Sequence, residues 1–233
     1  MASAARQIRN QPTQLAASGS VLRVNLGCGT TAPEGWYNID NSPTIWLSRI
    51  PAAAKLFRTA PWPRNVHRHD VLKGLPFSDE GVDFIYSSHT FEHFTYPQSV
   101  ALTRECLRVL KPGGVLRIVV PDLERIVRDY LADSNSMASH RFVGRLLLGH
   151  TWRDLLHPGA HHSQMFDARS LTTMLQEAGF AAPQTSSFGA SEIPDVLEVE
   201  LEERRNESLY MEAQKVNAPP SRNLKIYHHA QTH

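Results

Sequence analysis

Only two cysteines, Cys28 and Cys106, occur in the 233 residues. Their spacing gives neither a disulfide framework nor a cysteine-based zinc site, and two free thiols fit a reducing cytoplasm. An excess of one charge is also lacking. Lys+Arg 24 against Asp+Glu 23 gives a formal net charge of +1, too small to draw the chain to nucleic acid or an anionic membrane. No apolar run comes near the roughly 20 residues that cross a bilayer. Residues 1–20 hold no hydrophobic segment of a secretory signal. They carry Arg6, Arg9, several Ser and Ala and no acid, a faint likeness to an organelle transit peptide, and are expected to form a flexible arm. No internal repeat is visible. Apolar residues, in contrast, are well supplied at 41 %, enough for the core of one domain.

Five short runs read as strands. Val21–Leu26 is apolar, partly β-branched, and stops at a glycine-rich turn. Trp36–Ile39 ends at Asp40, Asn65–His69 ends at Asp70, and Val82–Tyr86 follows. Val115–Val120, closed by Pro121, is nearly continuous in apolar residues, as in a strand covered on both faces. Leu102, Cys106, Val109 and Leu110 make a helical stripe that Lys111-Pro112-Gly113-Gly114 ends. Leu123, Ile126, Val127, Tyr130 and Leu131 make another. Asp167 is placed to cap a helix carrying Leu171, Leu175 and Ala178, with Gly179 as its stop. Ser208–Ala213 reads as a final strand. Alternating strands and helices imply a doubly wound α/β fold with a mainly parallel sheet, covered on both faces, and an antiparallel strand near the C-terminus. The domain is expected over residues 21–215, followed by a loose tail over 216–233.

Gly27-Cys28-Gly29-Thr30-Thr31-Ala32 follows the first strand and satisfies a dinucleotide fingerprint. Glycines there let the backbone turn and approach a ligand, although a plain tight turn accounts for the same six residues. Asp40 and Asp70 end the next two strands, at the edge where open α/β sheets bind ligands. A carboxylate at Asp40 can accept from the two hydroxyls of a ribose. Asp70, beside Leu72 and Leu75-Pro76-Phe77, suits an adenine ring. For each acid the alternative is a helix cap or turn residue.

In order and in phase, several stretches resemble one family. They are Val24–Gly29, Gly35–Asp40, Asp70-Val71, Leu75–Phe77, Asp83–His89, Phe91–Phe94, Arg108–Gly114, Ala178–Phe180 and Ser208–Ala213. Together they look like the S-adenosylmethionine (SAM)-dependent, class I methyltransferases found among envelope-polysaccharide genes. The resemblance implies a Rossmann-like fold and SAM as cofactor. Gly27, Cys28 and Gly29 would lie against its methionine part, Asp40 would hold the ribose, Asp70 and Val71 would frame the adenine, and Ser87, Ser88 and His89 would line the methyl-transfer face. The chain departs from the general pattern in one respect. Only about ten residues separate Gly29 from Asp40, too few for a crossover helix, so that helix must shrink to a turn.

Twelve histidines are a high count. His89-Thr90-Phe91-Glu92-His93 reads H-x-x-E-H, the signature of one zinc-peptidase class. That motif belongs in a long helix, and here it follows a strand closely and is soon met by Pro97, so no metal is assigned. A second group, His157, His161 and His162, lies in a loop broken by Pro158-Gly159. His162 and His89 are candidate general bases, and Asp122 is a third candidate that would equally cap a helix. The expected reaction is methyl transfer from SAM to an acceptor, with a sugar or glycan hydroxyl suggested by family analogy alone. A non-catalytic SAM- or nucleotide-binding protein is the alternative, with a zinc hydrolase as a third reading.

Overall fold

The computed structural model describes residues 21–50, 61–147 and 161–216. The expected N-terminal arm, His157 and nearly all of the expected C-terminal tail lie outside these residues. Seven strands form one sheet: β1 (Arg23–Leu26), β2 (Trp36–Asp40), β3 (Val66–Arg68), β4 (Val82–Ser88), β5 (Leu110–Pro121), β6 (Gln184–Ser186) and β7 (Ser208–Gln214). Their order is β3-β2-β1-β4-β5-β7-β6. The first five pair in parallel, and β7 runs antiparallel between β5 and β6. This is the expected Rossmann-like arrangement, with its antiparallel strand in place. Among the described residues five helices accompany the sheet: α1 (Thr44–Ser48), α2 (Tyr96–Val109), α3 (Leu123–Ala132), α4 (Ala138–Leu147) and α5 (Ala168–Ala178).

Side chains alternate across the strands, so each face has its own core. Val24, Leu26, Ile85, Leu116, Ile118 and Met211 point one way and meet Leu102, Cys106 and Val109 of α2 and Leu171, Met174 and Leu175 of α5. The stripe read from the sequence is thus the buried face of α2. The Asp167 carboxylate accepts from the Ser170 amide at 2.8 Å, and Gly179 closes α5 at φ +113. β5 begins at Leu110, which pairs with Val82, rather than at Val115. The Pro112-Gly113-Gly114 stretch is an irregular first section of that strand, with a shifted register between Val82 and Phe84.

The other face is covered in part by an irregular segment. Trp36, Tyr86, Val115, Val119 and Tyr210 are covered by Ile193, Val196 and Val199. Those three lie in an irregular segment between β6 and β7 that contains only short 3-10 turns. Arg117, in mid-β5 and 0 % exposed, fastens that segment to the sheet. Its guanidinium donates to Glu200 (2.7 Å), Glu212 (3.0 Å), Ser186 Oγ (2.5 Å) and the carbonyls of Ser187 (2.8 Å) and Ala190 (3.0 Å).

Removing one partner of a buried ion pair strands the other charge without water. Arg117→Met should therefore lower stability by about 3–5 kcal/mol, read as a fall in the urea midpoint. A loss below about 1 kcal/mol, the range of exposed pairs, would contradict this role for Arg117.

Candidate functional site

The first half of the site is the turn after β1. Gly27 and Gly29 have φ of +66 and +54, the left-handed region that side chains disfavour. The amides of Gly27 and Cys28 both donate to the Ile39 carbonyl (2.8 and 3.0 Å), which carries the β1–β2 pairing into the loop. A Cβ at Gly27 would lie 2.1 Å from Thr90 Oγ1. A Cβ at Gly29 would meet nothing within 4 Å, because this glycine faces the cleft. Asp40 accepts from the Gly29 amide at 3.0 Å with one oxygen and from the Ser42 amide at 2.7 Å with the other. A carboxylate offers about four lone pairs, so two remain for a ligand.

As expected, no helix links β1 and β2. Buried asparagines, which sequence reading passed over, take the helix's place in satisfying backbone groups. Asn25 donates to the Thr31 carbonyl (2.9 Å) and to Asn38 (3.2 Å), and Asn38 donates to the Pro33 and Trp36 carbonyls (3.1 and 3.0 Å). Asn65, just before β3, donates to the Ala32 carbonyl (2.9 Å).

Gly27, Gly29, Asp40, Asp70, Val71 and Leu72 line one cleft of ≈ 560 Å³, with Thr90 and His93 on the far wall. Asp70 also caps the Val71–Lys73 turn, accepting from the Leu72 amide at 3.2 Å, so the capping role coexists with a place at the cleft. Cys28 and Ser88 line an adjoining lobe. The Cys28 thiol stays protonated, since burial first and then Asp40 push its pKa up to about 12. Ser87 departs from expectation. It is fully buried and its hydroxyl donates to the Leu26 carbonyl at 3.1 Å, turned into the sheet by strand alternation.

His89 lies where three cavities meet: the cleft, its lobe, and a second cavity of ≈ 470 Å³ that is also lined by His162, Arg141, Arg145 and Arg204. Its φ of +49 is strained for a non-glycine residue, a feature that collects at functional sites. Arg204 can only donate, so its 2.9 Å bond makes His89 Nδ1 an acceptor, and Nε2 then donates to Ser208 Oγ at 2.9 Å. Burial, followed by Arg204, lowers the His89 pKa to about 3. With both nitrogens engaged, His89 has no free lone pair in this arrangement. Asp122 takes the capping role that the sequence equally allowed. Its carboxylate accepts from the Glu124 and Arg125 amides as the N-cap of α3, and it lines none of the cavities described.

The H-x-x-E-H letters do not form a peptidase helix. Phe91–His93 is one 3-10 turn, with His89 outside it. Glu92 is 0 % exposed, and neither carboxylate oxygen has a hydrogen-bond partner among the described residues. His89 Nδ1 stands 3.4 Å away but carries no proton to donate. Burial pushes the Glu92 pKa up to about 8. His93 Nδ1 meets the His161 carbonyl at 3.1 Å, which leaves Nε2 with its lone pair. His162 is 9 % exposed, its Nδ1 has no partner among the described residues, and burial lowers its pKa. One ligand atom from each of Glu92, His93 and His162 lies within 4.8 Å of the others.

A profile of the methyltransferase domain matches residues 17–184. A Mycolicibacterium smegmatis protein named a probable S-adenosylmethionine-dependent methyltransferase is 29 % identical over 126 residues, which are 54 % of this chain and 39 % of that protein. The chain thus matches well under half the length of this curated relative. Among solved structures, a possible exported protein of Bordetella parapertussis aligns at TM-score 0.49 and 15 % identity, covering 91 % of this chain and 68 % of its own. A SAM-dependent methyltransferase of Thermotoga maritima, described as a possible histamine N-methyltransferase, aligns at TM-score 0.47 and 17 % identity, covering 90 % and 88 %.

The two glycines should respond differently to a methyl group. Both substitutions pay the left-handed cost of about 1–2 kcal/mol, but Gly27→Ala also collides with Thr90, adding about 1–3 kcal/mol. Urea denaturation should show Gly27→Ala clearly less stable than Gly29→Ala. Equal losses would remove the Thr90 contact as a constraint.

Proposed function

The chain belongs to the methyltransferase-domain family, and we propose that it transfers the methyl group of SAM to a hydroxyl acceptor of the sugar or glycan class. The residues present fit the cofactor. Gly29 leaves open the space that a Cβ would fill, and Asp40 keeps two lone pairs on the same cleft. Gly27, Cys28 and Gly29 would pass along the methionine part, Asp40 would take the ribose, and Asp70 with Val71 would frame the adenine. When bound, SAM supplies an electrophilic methyl group on a sulfonium that leaves as a neutral thioether.

The observation that supports transfer, beyond binding, is the junction at His89. The cofactor cleft and the second cavity both reach this residue. The second cavity carries His162, whose Nδ1 has no partner among the described residues. Arg141, Arg145 and Glu207 place charged groups on its largely apolar wall, and these can bond the hydroxyls of an acceptor. Holding two reactants together in attacking geometry accounts for much of the acceleration in such reactions, and a hydroxyl must also shed its proton. His162 is the acceptor-side group. His89, fixed by Arg204 and Ser208, holds the wall between the two spaces. Arg204 and Ser208 lie beyond residue 184, so we take the catalytic domain to run on to about residue 215.

Calorimetry should show SAM binding and no NAD binding. Gly29→Val, which fills the open cleft space, should abolish SAM binding. With an acceptor found by screening nucleotide sugars and glycans, His162→Ala should lower turnover by roughly a hundredfold while SAM affinity stays nearly constant. SAM binding without demethylated product under any acceptor would favour the non-catalytic alternative. Unchanged turnover in His162→Ala would remove this histidine from the reaction.

A further inference from the structure

We infer that Glu92, His93 and His162 form a site for one divalent transition-metal ion of the zinc type, set between the cofactor cleft and the second cavity. Sequence reading assigned no metal. Its motif pointed to His89 with His93, and the structure replaces His89 by His162, about 70 residues further along the chain.

Four observations converge on this site. One nitrogen from each of His93 and His162 and one oxygen of Glu92 lie within 4.8 Å of one another. Zinc ligands sit about 2.0–2.2 Å from the ion, hence within roughly 4.2 Å of each other, so small side-chain rotations close the set. The Glu92 carboxylate is fully buried, and neither oxygen has a partner among the described residues. Ionised and unpaired, such a group is costly, and coordination to a cation removes that cost. The Nδ1 of His93 meets the His161 carbonyl at 3.1 Å, which fixes the tautomer and frees Nε2. Metal-ligating histidines are oriented in this way. Finally, the two chain segments are fastened together. The Glu92 carbonyl accepts from the amides of Ser163 (2.7 Å) and Gln164 (3.2 Å), and Gln164 Nε2 donates to Ser99 Oγ (2.7 Å). These bonds hold His162 over the Phe91–His93 turn.

Two imidazoles and one carboxylate are a ligand set that leaves positions open for substrate. His93 lines the cofactor cleft and His162 the second cavity, so the open positions would face both. The part of this ion in transfer rests on the methyltransferase reading above. An acceptor hydroxyl bound there would have its pKa lowered. Coordination would use the His162 lone pair, so the ion would take over the part given to that histidine above: the acceptor's proton would pass to solvent, the O–CH3 bond forming as the S–CH3 bond breaks and the cofactor leaving as the neutral thioether. Binding of the ion does not rest on that reading.

The test is a zinc titration of the full chain after chelator treatment and removal of the chelator, followed by calorimetry, with cobalt(II) absorption in parallel. We expect one tight equivalent of zinc and a cobalt spectrum without a thiolate charge-transfer band, since no cysteine is in the set. Glu92→Gln and His162→Gln should each weaken zinc binding by about tenfold or more. Glu92→Gln keeps the side chain's size and removes a buried charge, so it tests the site even if His162→Gln fails to fold. His140→Ala and the double change His228→Ala, His229→Ala should leave the tight equivalent in place. Absence of a saturable zinc equivalent in the unaltered chain, or binding that neither Glu92→Gln nor His162→Gln weakens, overturns the inference. SAM titration of the same samples separates the two readings. SAM binding without zinc binding removes only the metal site, and zinc binding without SAM binding removes only the cofactor reading.

Discussion

Gly27 and Thr90 occupy adjoining space with no room for a Cβ between them, and the site depends on that contact. The turn after β1 and the turn after β4 both leave the carboxyl edge of adjacent parallel strands. With any side chain at residue 27 the two turns would have to separate. Because they touch, the segment running from Ser88 to His93 is drawn over the glycine turn. His89 then stands at the junction of the cavities instead of beside one of them. The strained φ at His89 follows from the same close approach: the chain must reverse at once to enter the Phe91–His93 turn, and the His89 amide is still tied to the Val119 carbonyl at 2.8 Å.

The second constraint is topological. A parallel crossover ordinarily takes a dozen or more residues and a helix to return the chain to the same edge. Residues 27–35 make that return alone. The energetic difficulty is that a loop without a helix leaves backbone carbonyls to be satisfied elsewhere. Asn25, Asn38 and Asn65 answer it from β1, β2 and the approach to β3, each reaching a carbonyl of the loop. A side-chain amide both donates and accepts, which lets Asn25 and Asn38 bond each other as well. The short loop also places Asp40 beside Gly29, so the acid stiffens the turn while retaining lone pairs for a ligand.

Local features were legible in the sequence. The five strands, the α2 stripe, the Asp167 cap and the Gly179 stop each rest on neighbours a few residues apart. The glycines and the two acids could be placed because strand ends in α/β sheets lie at the ligand edge. Features that depend on distant partners were not legible. Arg117 sits in a run that reads as apolar, and its partners Glu200 and Glu212 lie on other segments. Arg204, which occupies the Nδ1 of His89, is separated from it by 115 positions. Ser87 and Ser88 differ by one step along a strand, enough to send one into the sheet and leave the other at the lobe. α4 was missed because its apolar positions barely enter a core; it packs on α3 through Tyr130 and Phe142, whose rings stack at 4.6 Å.

Glu92 shows how the two halves of the site are linked. Its backbone carbonyl binds the 163–164 amides, which secures the segment carrying His162, while its side chain has no partner among the described residues. A purely structural residue at a fully buried position would gain by being apolar, since a lone carboxyl loses hydration and receives nothing in return. A carboxylate here must therefore take up either a proton or a cation to be tolerated. Both outcomes act at the same place, beside His93 of the first cleft and His162 of the second cavity. A proton would make Glu92 a neutral donor facing two neutral imidazoles. A cation would convert the same three side chains into an electrophilic centre. The lone pairs left free on His93 and His162 are better matched to a shared cation than to a single proton, because one proton cannot satisfy two imidazoles and a carboxylate at once.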